Sequence, residues 1–289
     1  MDALKAQFPS VDYIPLKLDL SIQQSVRTAA AEVLSWSRVP TIDIVVNSAG
    51  VMNIPERTFS QEGIEMHFAT NHIGHFLFSC LIMPKLLKSA DGNPKGTTRL
   101  INVTSASPQR ACMRWSDLNF ERRNRDLPEE EQPPYGVHRA WGTTDPENKT
   151  YLPLEGYNQS KVANVLFSIA ANKRLYEKHG ILSLAVHPGV IRTELSRNNS
   201  PETMQTIQGM LDKGVYHLKT TGAGAATSLV AALDHHLGVG GTRDGKENYG
   251  VYLVDCQISD KATPRAVSSN EAEKLWKLSE DLVNEKFTW

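Results

Sequence analysis

Short apolar runs rich in β-branched residues alternate along the chain with longer segments of helical periodicity. Such runs are typical of buried strands in a parallel sheet, and the segments between them are long enough to form crossover helices. The alternation therefore predicts an α/β fold built on a parallel sheet. The predicted strands are Tyr13–Leu18, Ile42–Val46, Leu100–Val103, Leu182–Val186 and Tyr249–Val254, and the predicted helices span about 22–36, 61–87, 157–179, 201–213, 220–237 and 270–287.

Polar residues follow three of these strands at the points where they end. Asn47–Gly50 follows the second run, Thr104–Ser105 the third and His187–Gly189 the fourth. Ligands of open parallel sheets bind beyond the carboxyl ends of the strands. Tyr157 opens a predicted helix that would begin on the same side, so the sequence predicts a ligand site there.

Tyr157 and Lys161 stand four positions apart, which places a phenol and an ammonium one turn apart on the same helix face. A phenol has an ordinary pKa of about 10 and exchanges protons poorly at neutral pH. A neighbouring cation favours the phenolate and would lower the pKa of Tyr157. The pair therefore predicts proton exchange with an alcohol or a ketone.

Composition excludes several other classes of function. The 31 Lys and Arg residues balance the 32 Asp and Glu residues, so no overall charge favours nucleic acid. The three cysteines are scattered, which predicts a reducing compartment without a disulfide framework or a cysteine metal site. No apolar run is long enough to span a membrane. A cytoplasmic location is the default expectation, with an anchor upstream of residue 1 left open.

Each candidate residue also has an ordinary structural interpretation. A Tyr and a Lys at this spacing commonly decorate a helix surface, and Asn47–Gly50 alone could be a simple turn. Ser105 could end a strand as a turn former, and Ser107, two residues later, is a competing candidate for a serine of the site. Asn71 could be a buried amide with satisfied hydrogen bonds. The histidines His72, His75 and His187 are too scattered to predict a metal site.

Taken together, the motifs resemble the short-chain dehydrogenase/reductase family, particularly its retinol-dehydrogenase-like and WW-domain-oxidoreductase-like members. The resemblance covers nearly the whole chain. It implies that Tyr157 and Lys161 form the catalytic Tyr-x-x-x-Lys pair and that Ser105 and Asn71 are the catalytic serine and asparagine. The residues that it places along the cofactor are Asp19, Asn47, Ala49, Gly50, Thr104, Tyr157, Lys161, Pro188, Gly189 and Thr193.

The activity implied by this resemblance is hydride exchange between a nicotinamide cofactor, NADP or NAD, and a lipophilic alcohol or ketone. NADP is slightly favoured over NAD. Tyr157 would be the general acid or base, and Lys161 would also hydrogen-bond the ribose. Ser105 would donate a hydrogen bond to the developing oxyanion, and Asn71 would help to hold a water that links Lys161 to solvent. The expected partner is a small molecule, and a homo-oligomer is possible.

Family members begin with two strands and a glycine-rich turn that would precede Met1. The resemblance therefore implies one incomplete domain over residues 1–289, a Rossmann-like doubly wound parallel sheet lacking its first two strands and the glycine-rich turn. Ile42–Val46 would then be an exposed apolar edge, which predicts poor solubility or weak folding. Residues 108–152 contain five prolines and little periodicity, and they are expected to be either a substrate lid or a poorly ordered insertion.

The first functional hypothesis is thus an oxidoreductase of the short-chain type. The alternative is an inactive truncated remnant, or a non-catalytic binding protein, that has lost the pyrophosphate site of the cofactor. An isomerase or epimerase on the same fold is a third hypothesis. The substrate, the direction of reaction, the choice between NAD and NADP and the oligomeric state stay open at this stage.

Overall fold

A five-stranded sheet forms the centre of the protein, which is described here for residues 2–289 from a computed structural model. Its strand order is β1-β2-β3-β6-β7, and every neighbouring pair is parallel except the antiparallel pair β6–β7. These strands are β1 Ile44–Asn47, β2 Arg99–Val103, β3 Leu182–His187, β6 Tyr252–Val254 and β7 Gln257–Ile258. A separate small ribbon pairs β4 Val190–Ile191 with β5 Leu218–Lys219.

Helices cover both faces of this sheet. Their bounds are α1 Asp2–Gln7, α2 Gln23–Ser35, α3 Met66–Phe68, α4 Gly74–Asp91, α5 Tyr135–Ala140, α6 Pro153–His179, α7 Pro201–Asp212, α8 Thr221–Leu233 and α9 Ser269–Val283. The larger buried cluster joins α2, α4, α6 and α9, and the smaller one joins α8 to β2, β3 and β6. This layered arrangement confirms the α/β class, with a mainly parallel sheet between two helical layers.

Four of the five predicted strands are confirmed, with shifted ends, but Tyr13–Leu18 is not a strand. These residues run without a ladder partner anywhere in residues 2–289. Leu16 and Leu18 instead pack, partly buried, against the cluster that joins α2 and α4. Such packing also produces alternation of buried and exposed positions, which explains why the pattern was mistaken for a strand. That the sheet lacks two further strands stays a prediction.

Strand β1 is the edge of the sheet within the described chain, where its neighbour is β2. Val46 on this strand is 44% exposed, which is high for an apolar side chain in a parallel sheet. Among residues 2–289, no helix combines the length and the apolar character needed to cross a membrane.

The segment from 108 to 152 forms a series of short turns and the helix α5. Arg114 is buried and forms an ion pair with Asp117, and it also donates to the side chain of Asn124. The guanidinium lies 4.6 Å above the ring of the buried Phe120. These contacts give the segment a small polar core, because a buried charge is stable only when it is paired and hydrogen-bonded.

Candidate active site

Tyr157 and Lys161 lie in the first turns of α6, and both side chains are buried. Pro153 opens the helix at a position where a missing N–H costs no helical hydrogen bond. Lys161 Nζ donates to the Val103 carbonyl at 2.9 Å, and it lies 5.6 Å from the centre of the Tyr157 ring. The helix therefore directs both groups to the carboxyl end of β2.

The pKa values of this pair are governed by burial. Burial raises the pKa of Tyr157 to about 12, and a hydrogen bond with Ser105 opposes that rise. Burial also lowers the pKa of the Lys161 ammonium to about 8. The expectation that the cation lowers the pKa of Tyr157 below its ordinary value is therefore wrong for this structure. The ammonium donates to a main-chain carbonyl, and loss of hydration is the largest influence on the phenol.

Ser105 and Thr104 follow β2 directly. The Ser105 hydroxyl donates to Ser107 Oγ at 2.8 Å and accepts from the Ser107 main-chain N–H at 3.0 Å. Thr104 is buried, and its hydroxyl donates to the main-chain carbonyl of Lys161 at 2.6 Å. Thr104, which was predicted to contact the cofactor, therefore has its side chain engaged in joining β2 to α6.

Asn71 lies in a single turn of π-helix, Ala69–Ile73, between α3 and α4. Its side-chain amide accepts from the Val51 main-chain N–H at 2.8 Å, and it donates to the Val51 carbonyl and to Ser160 Oγ, each at 2.9 Å. A Cβ atom added to Gly50 would lie 3.1 Å from Asn71 Oδ1 and 3.6 Å from Lys161 Nζ. Asn71 thus holds the turn after β1 beside Lys161, and π-helical turns are frequent at functional sites.

The other residues of the turn after β1 have different environments. Asn47 is buried, and its amide donates to Ser79 Oγ and to Asn102 Oδ1, so its side chain joins α4 to β2. Ala49 is exposed and Gly50 is half-buried. The exposed main chain of this turn, more than the side chain of Asn47, is therefore available to a ligand.

The predicted loop after β3 lies near Ser105 and Tyr157, since Gly189 and Thr193 line the same cavity as these two residues. Gly189 adopts a φ of +88°, a backbone conformation that favours glycine, and it lies against the flexible side chain of Lys219. Pro188 is half-buried, and Thr193 is exposed and caps a short 3₁₀ turn by accepting from Leu195 N–H.

Asp19 has a surface position after the segment that was predicted as the first strand. Its carboxylate accepts from the main-chain N–H and the hydroxyl of Ser21. Within the described residues it makes no hydrogen bond to another predicted site residue.

A cavity of about 240 Å³ opens onto Ser105 and Tyr157. Its polar lining includes Asn158 and Arg110, but the remaining walls are mainly apolar. The apolar side chains come from α5, the β4–β5 ribbon, α7 and nearby loops, and they include Met52, Val137, Trp141, Leu154, Ile191, Leu195, Met204, Ile207, Leu211, Tyr216 and Leu218. A catalytic-type polar cluster at one end of an apolar cavity is the usual form of a small-molecule site.

Four buried residues near this cluster were missed by the sequence analysis or given no role there. Ser107 was considered only as a rival of Ser105, and Asn158, Glu155 and His138 were not considered. Asn158 directly follows Tyr157, but its sequence position does not indicate what its amide contacts. The contact of His138 with Glu155 joins α5 to α6 across the irregular segment, which no local pattern could predict.

Comparison with known proteins assigns this chain to a family. A family model described as short chain dehydrogenase matches residues 1–116. Human retinol dehydrogenase 12 is 32% identical over 92% of this chain and 68% of that protein. The short-chain dehydrogenase/reductase prx1 of Penicillium roqueforti is 30% identical over 93% of this chain and 70% of that protein. The NADPH-bound carbonyl reductase from chicken fatty liver has a similar fold, with a TM-score of 0.52 at 17% identity over 89% of this chain and 80% of that chain.

The parallel sheet, with its polar cluster at the carboxyl ends of the strands, defines a Rossmann-like α/β protein. The chain belongs to the short-chain dehydrogenase/reductase family, and retinol dehydrogenases are among its relatives. The family resemblance drawn from the sequence motifs is thereby confirmed.

Proposed function

We propose that this protein is an oxidoreductase that transfers hydride between a nicotinamide cofactor and a lipophilic alcohol or carbonyl compound. One observation carries the proposal: a buried Tyr157, accompanied by Lys161 on the same helix, faces one apolar cavity together with Ser105. Relatives named as retinol dehydrogenases and a similarly folded carbonyl reductase support the same class of reaction.

The residues around Lys161 fit one part of a nicotinamide cofactor, its ribose and nicotinamide. A Cβ at Gly50 would lie tightly against Asn71 Oδ1, at 3.1 Å, and would contact Lys161 Nζ at 3.6 Å, so the main chain of the Ala49–Gly50 turn lies next to the ammonium. Such a main-chain surface permits close approach of a sugar whose hydroxyls accept from Lys161. Pro188, Gly189 and Thr193, in the loop after β3, are the other residues that we assign to the cofactor site. The preference for NADP over NAD stays a prediction.

When bound, the cofactor supplies or accepts the hydride. Tyr157 gives its hydroxyl proton to the substrate oxygen in reduction, and its pKa of about 12 keeps it protonated at neutral pH. Ser105 donates a hydrogen bond to the same oxygen as negative charge develops there. Lys161 places a positive charge near the phenolate that forms, and Asn71 holds the adjoining turn in position.

The substrate class follows from the walls of the cavity. Its mainly apolar side chains favour a hydrocarbon portion, while the polar groups Ser105 and Tyr157 favour one oxygen atom. We therefore assign a long-chain or ring-bearing aldehyde, ketone or alcohol as substrate.

The test is aldehyde-dependent oxidation of NADPH or NADH, with nonanal and all-trans-retinal as probes. Tyr157→Phe should lower kcat by about 100-fold or more, because positioned proton transfer contributes roughly 10²–10⁴-fold to rate. Binding of NADPH, followed by its fluorescence, should change by less than about twofold, because the ring is retained. Tyr176→Phe, on the same helix but outside this cavity, is the matched control.

An unchanged kcat in Tyr157→Phe would remove Tyr157 from its role. Binding of aldehyde by the wild-type protein, with no oxidation of either cofactor, would favour the non-catalytic binding protein.

A further inference from the structure

A buried chain of hydrogen bonds leads from Ser105 to the helix α5. Ser105 donates to Ser107 Oγ at 2.8 Å, and Ser107 donates to Asn158 Oδ1 at 2.7 Å. Asn158 Nδ2 donates to Glu155 Oε2 at 3.1 Å, and the same oxygen contacts His138 Nε2 at 2.8 Å. The four residues beyond Ser105 are all less than 9% exposed.

The far end of the chain fixes the direction of every bond in it. A carboxylate can only accept, so Glu155 receives the Nδ2 of Asn158 and the Nε2–H of His138. Asn158 must then present its Oδ1 to Ser107, which uses the only proton of the Ser107 hydroxyl. Ser107 Oγ is left as an acceptor for the proton of Ser105.

At the Ser105 end of the hydrogen-bond chain, the oxygen of Ser105 is fixed in place while its proton is free to rotate. The Ser107 main-chain N–H donates to Ser105 Oγ at 3.0 Å, so the oxygen keeps its place when the proton points elsewhere. A substrate oxygen that gains negative charge is a stronger acceptor than Ser107 Oγ. The Ser105 proton can therefore turn from Ser107 to the substrate without movement of the side-chain oxygen.

The helix at the far end also forms part of the substrate cavity. Val137 and Trp141 of α5 line the cavity, whereas His138 between them is buried against Glu155. One short helix thus contacts both the place where substrate would lie and the hydrogen-bond chain that ends at Ser105.

We propose that Ser107, Asn158, Glu155 and His138 are positioning residues. They orient the Ser105 hydroxyl and couple its orientation to the binding of substrate against α5. The inference rests on the proposed function, since it assigns these residues to the serine of that same site. It makes α5 a working part of the catalytic assembly in addition to a wall of the cavity.

A double-mutant cycle separates this role from a structural one. With nonanal and NADPH, Ser105→Ala should lower kcat by about 100-fold and Ser107→Ala by about 10-fold, the range for loss or loosening of one oxyanion donor. In the Ser105→Ala background, Ser107→Ala should lower kcat by less than about twofold, because the group it positions is gone. An equal loss in both backgrounds would overturn the proposal.

Helix α5 supplies a second test with its own control. His138→Gln keeps an N–H donor for Glu155, whereas His138→Phe keeps the ring without the donor. We expect kcat to fall about 10-fold in His138→Phe and less than about threefold in His138→Gln, with KM nearly constant in both. Arg139→Gln, on the exposed side of the same helix and outside the cavity, should leave both kcat and KM nearly unchanged. Equal kcat values in the two His138 variants would contradict the proposal.

A measurement that does not depend on turnover checks the hydrogen-bond chain itself. Histidine-selective ¹⁵N NMR of the full chain should show His138 as the Nε2–H tautomer, with its signal assigned by His138→Gln and altered by Glu155→Ala. The Nδ1–H tautomer would refute the proposed direction of the bonds. If Ser105→Ala left kcat unchanged, the proposed function would fail, and a confirmed tautomer would show that the hydrogen-bond chain nevertheless exists.

Discussion

Lys161 is a charged side chain in a buried position that disfavours its charged form. It is 3% exposed, and burial lowers its pKa to about 8 from an ordinary value of 10.5. Each unit of difference between folded and unfolded pKa corresponds to about 1.4 kcal/mol. The site therefore holds its cation at a cost in stability, as is common where function fixes a residue.

Replacing Lys161 with methionine should stabilise the protein. The pKa of Lys161 is lower in the folded state, so below about pH 8 both states are protonated and the charge penalises folding fully. Between about 8 and 10.5 the unfolded state binds more protons, so wild-type stability rises with pH and the penalty disappears. Lys161→Met should gain about 1–3 kcal/mol at neutral pH, less the hydrogen bond lost to Val103.

Urea unfolding at neutral pH and again near the upper end of this range measures the gain. The difference between variant and wild type should shrink as pH rises. A difference that is constant with pH would show that the charge of Lys161 is not the cause. Lys173→Met, on the exposed face of the same helix, is the control for the substitution itself.

At the scale of single residues, the sequence predicted which side chains lie together but not their pKa values. The spacing of Tyr157 and Lys161 was sufficient to place them together on one helix face. Their pKa values depend on burial, and burial is produced by β2, the Asn71 turn and α5, which are distant in the sequence. The hydrogen-bond chain from Ser105 to His138 was beyond prediction for the same reason.

At the scale of elements, the start of α6 depends on a close approach to α3. A Cβ added to Gly156 would lie 2.9 Å from His67 Nδ1 and 3.0 Å from Glu65 Oε1. These two side chains are fully buried, and His67 donates to Glu65 across 2.7 Å. Because Gly156 has no side chain, the helix can approach the buried His67–Glu65 pair closely. This contact fixes the position of the next residue, Tyr157.

Gly156→Ala should lower the free energy of unfolding by about 1–3 kcal/mol, because overpacking at a buried contact forces displacement of the helix or of the His67–Glu65 pair. Aldehyde reduction should fall with it, since Tyr157 moves with the helix. Gly222→Ala, at a helical site in α8 with nothing within 4 Å of the added Cβ, should be neutral or slightly stabilising. Urea unfolding of both variants is the measurement, and equal effects would show that helix propensity alone is responsible.

The elements most reliably predicted were those with strong periodicity and two buried faces or a long amphipathic face. Strand β3 and helices α6 and α9 agree closely with the predicted positions. The prediction of a strand at Tyr13–Leu18 was wrong because alternation of apolar and polar residues reflects partial burial and does not reveal whether a strand has a hydrogen-bonding partner. The π-helical turn around Asn71 was not predicted, since its residues continue a helical pattern and the extra residue per turn leaves no local signal.

At the scale of the whole molecule, the two faces of the sheet are covered unequally. Helices α2, α4, α6 and α9 build the larger buried cluster, whereas the buried helical residues of the smaller one, over β2, β3 and β6, come from α8. Strand β1 is the edge of the sheet within residues 2–289, where Ile44 packs, partly buried, against the smaller cluster but Val46 is 44% exposed. An apolar edge strand offers unpaired main-chain groups and an apolar side chain to another copy of the chain.

Val46→Lys should therefore reduce self-association of the protein without unfolding it. A lysine on an edge strand opposes strand-to-strand pairing because two copies would bring like charges together at the new interface. Light scattering over a range of concentrations should show association in the wild type and less of it in the variant. Val239→Lys is the matched control, since Val239 is also 44% exposed but is not part of a strand. If both lysines reduce association equally, added charge and not the edge is responsible, and the expected homo-oligomer would have to form through another surface.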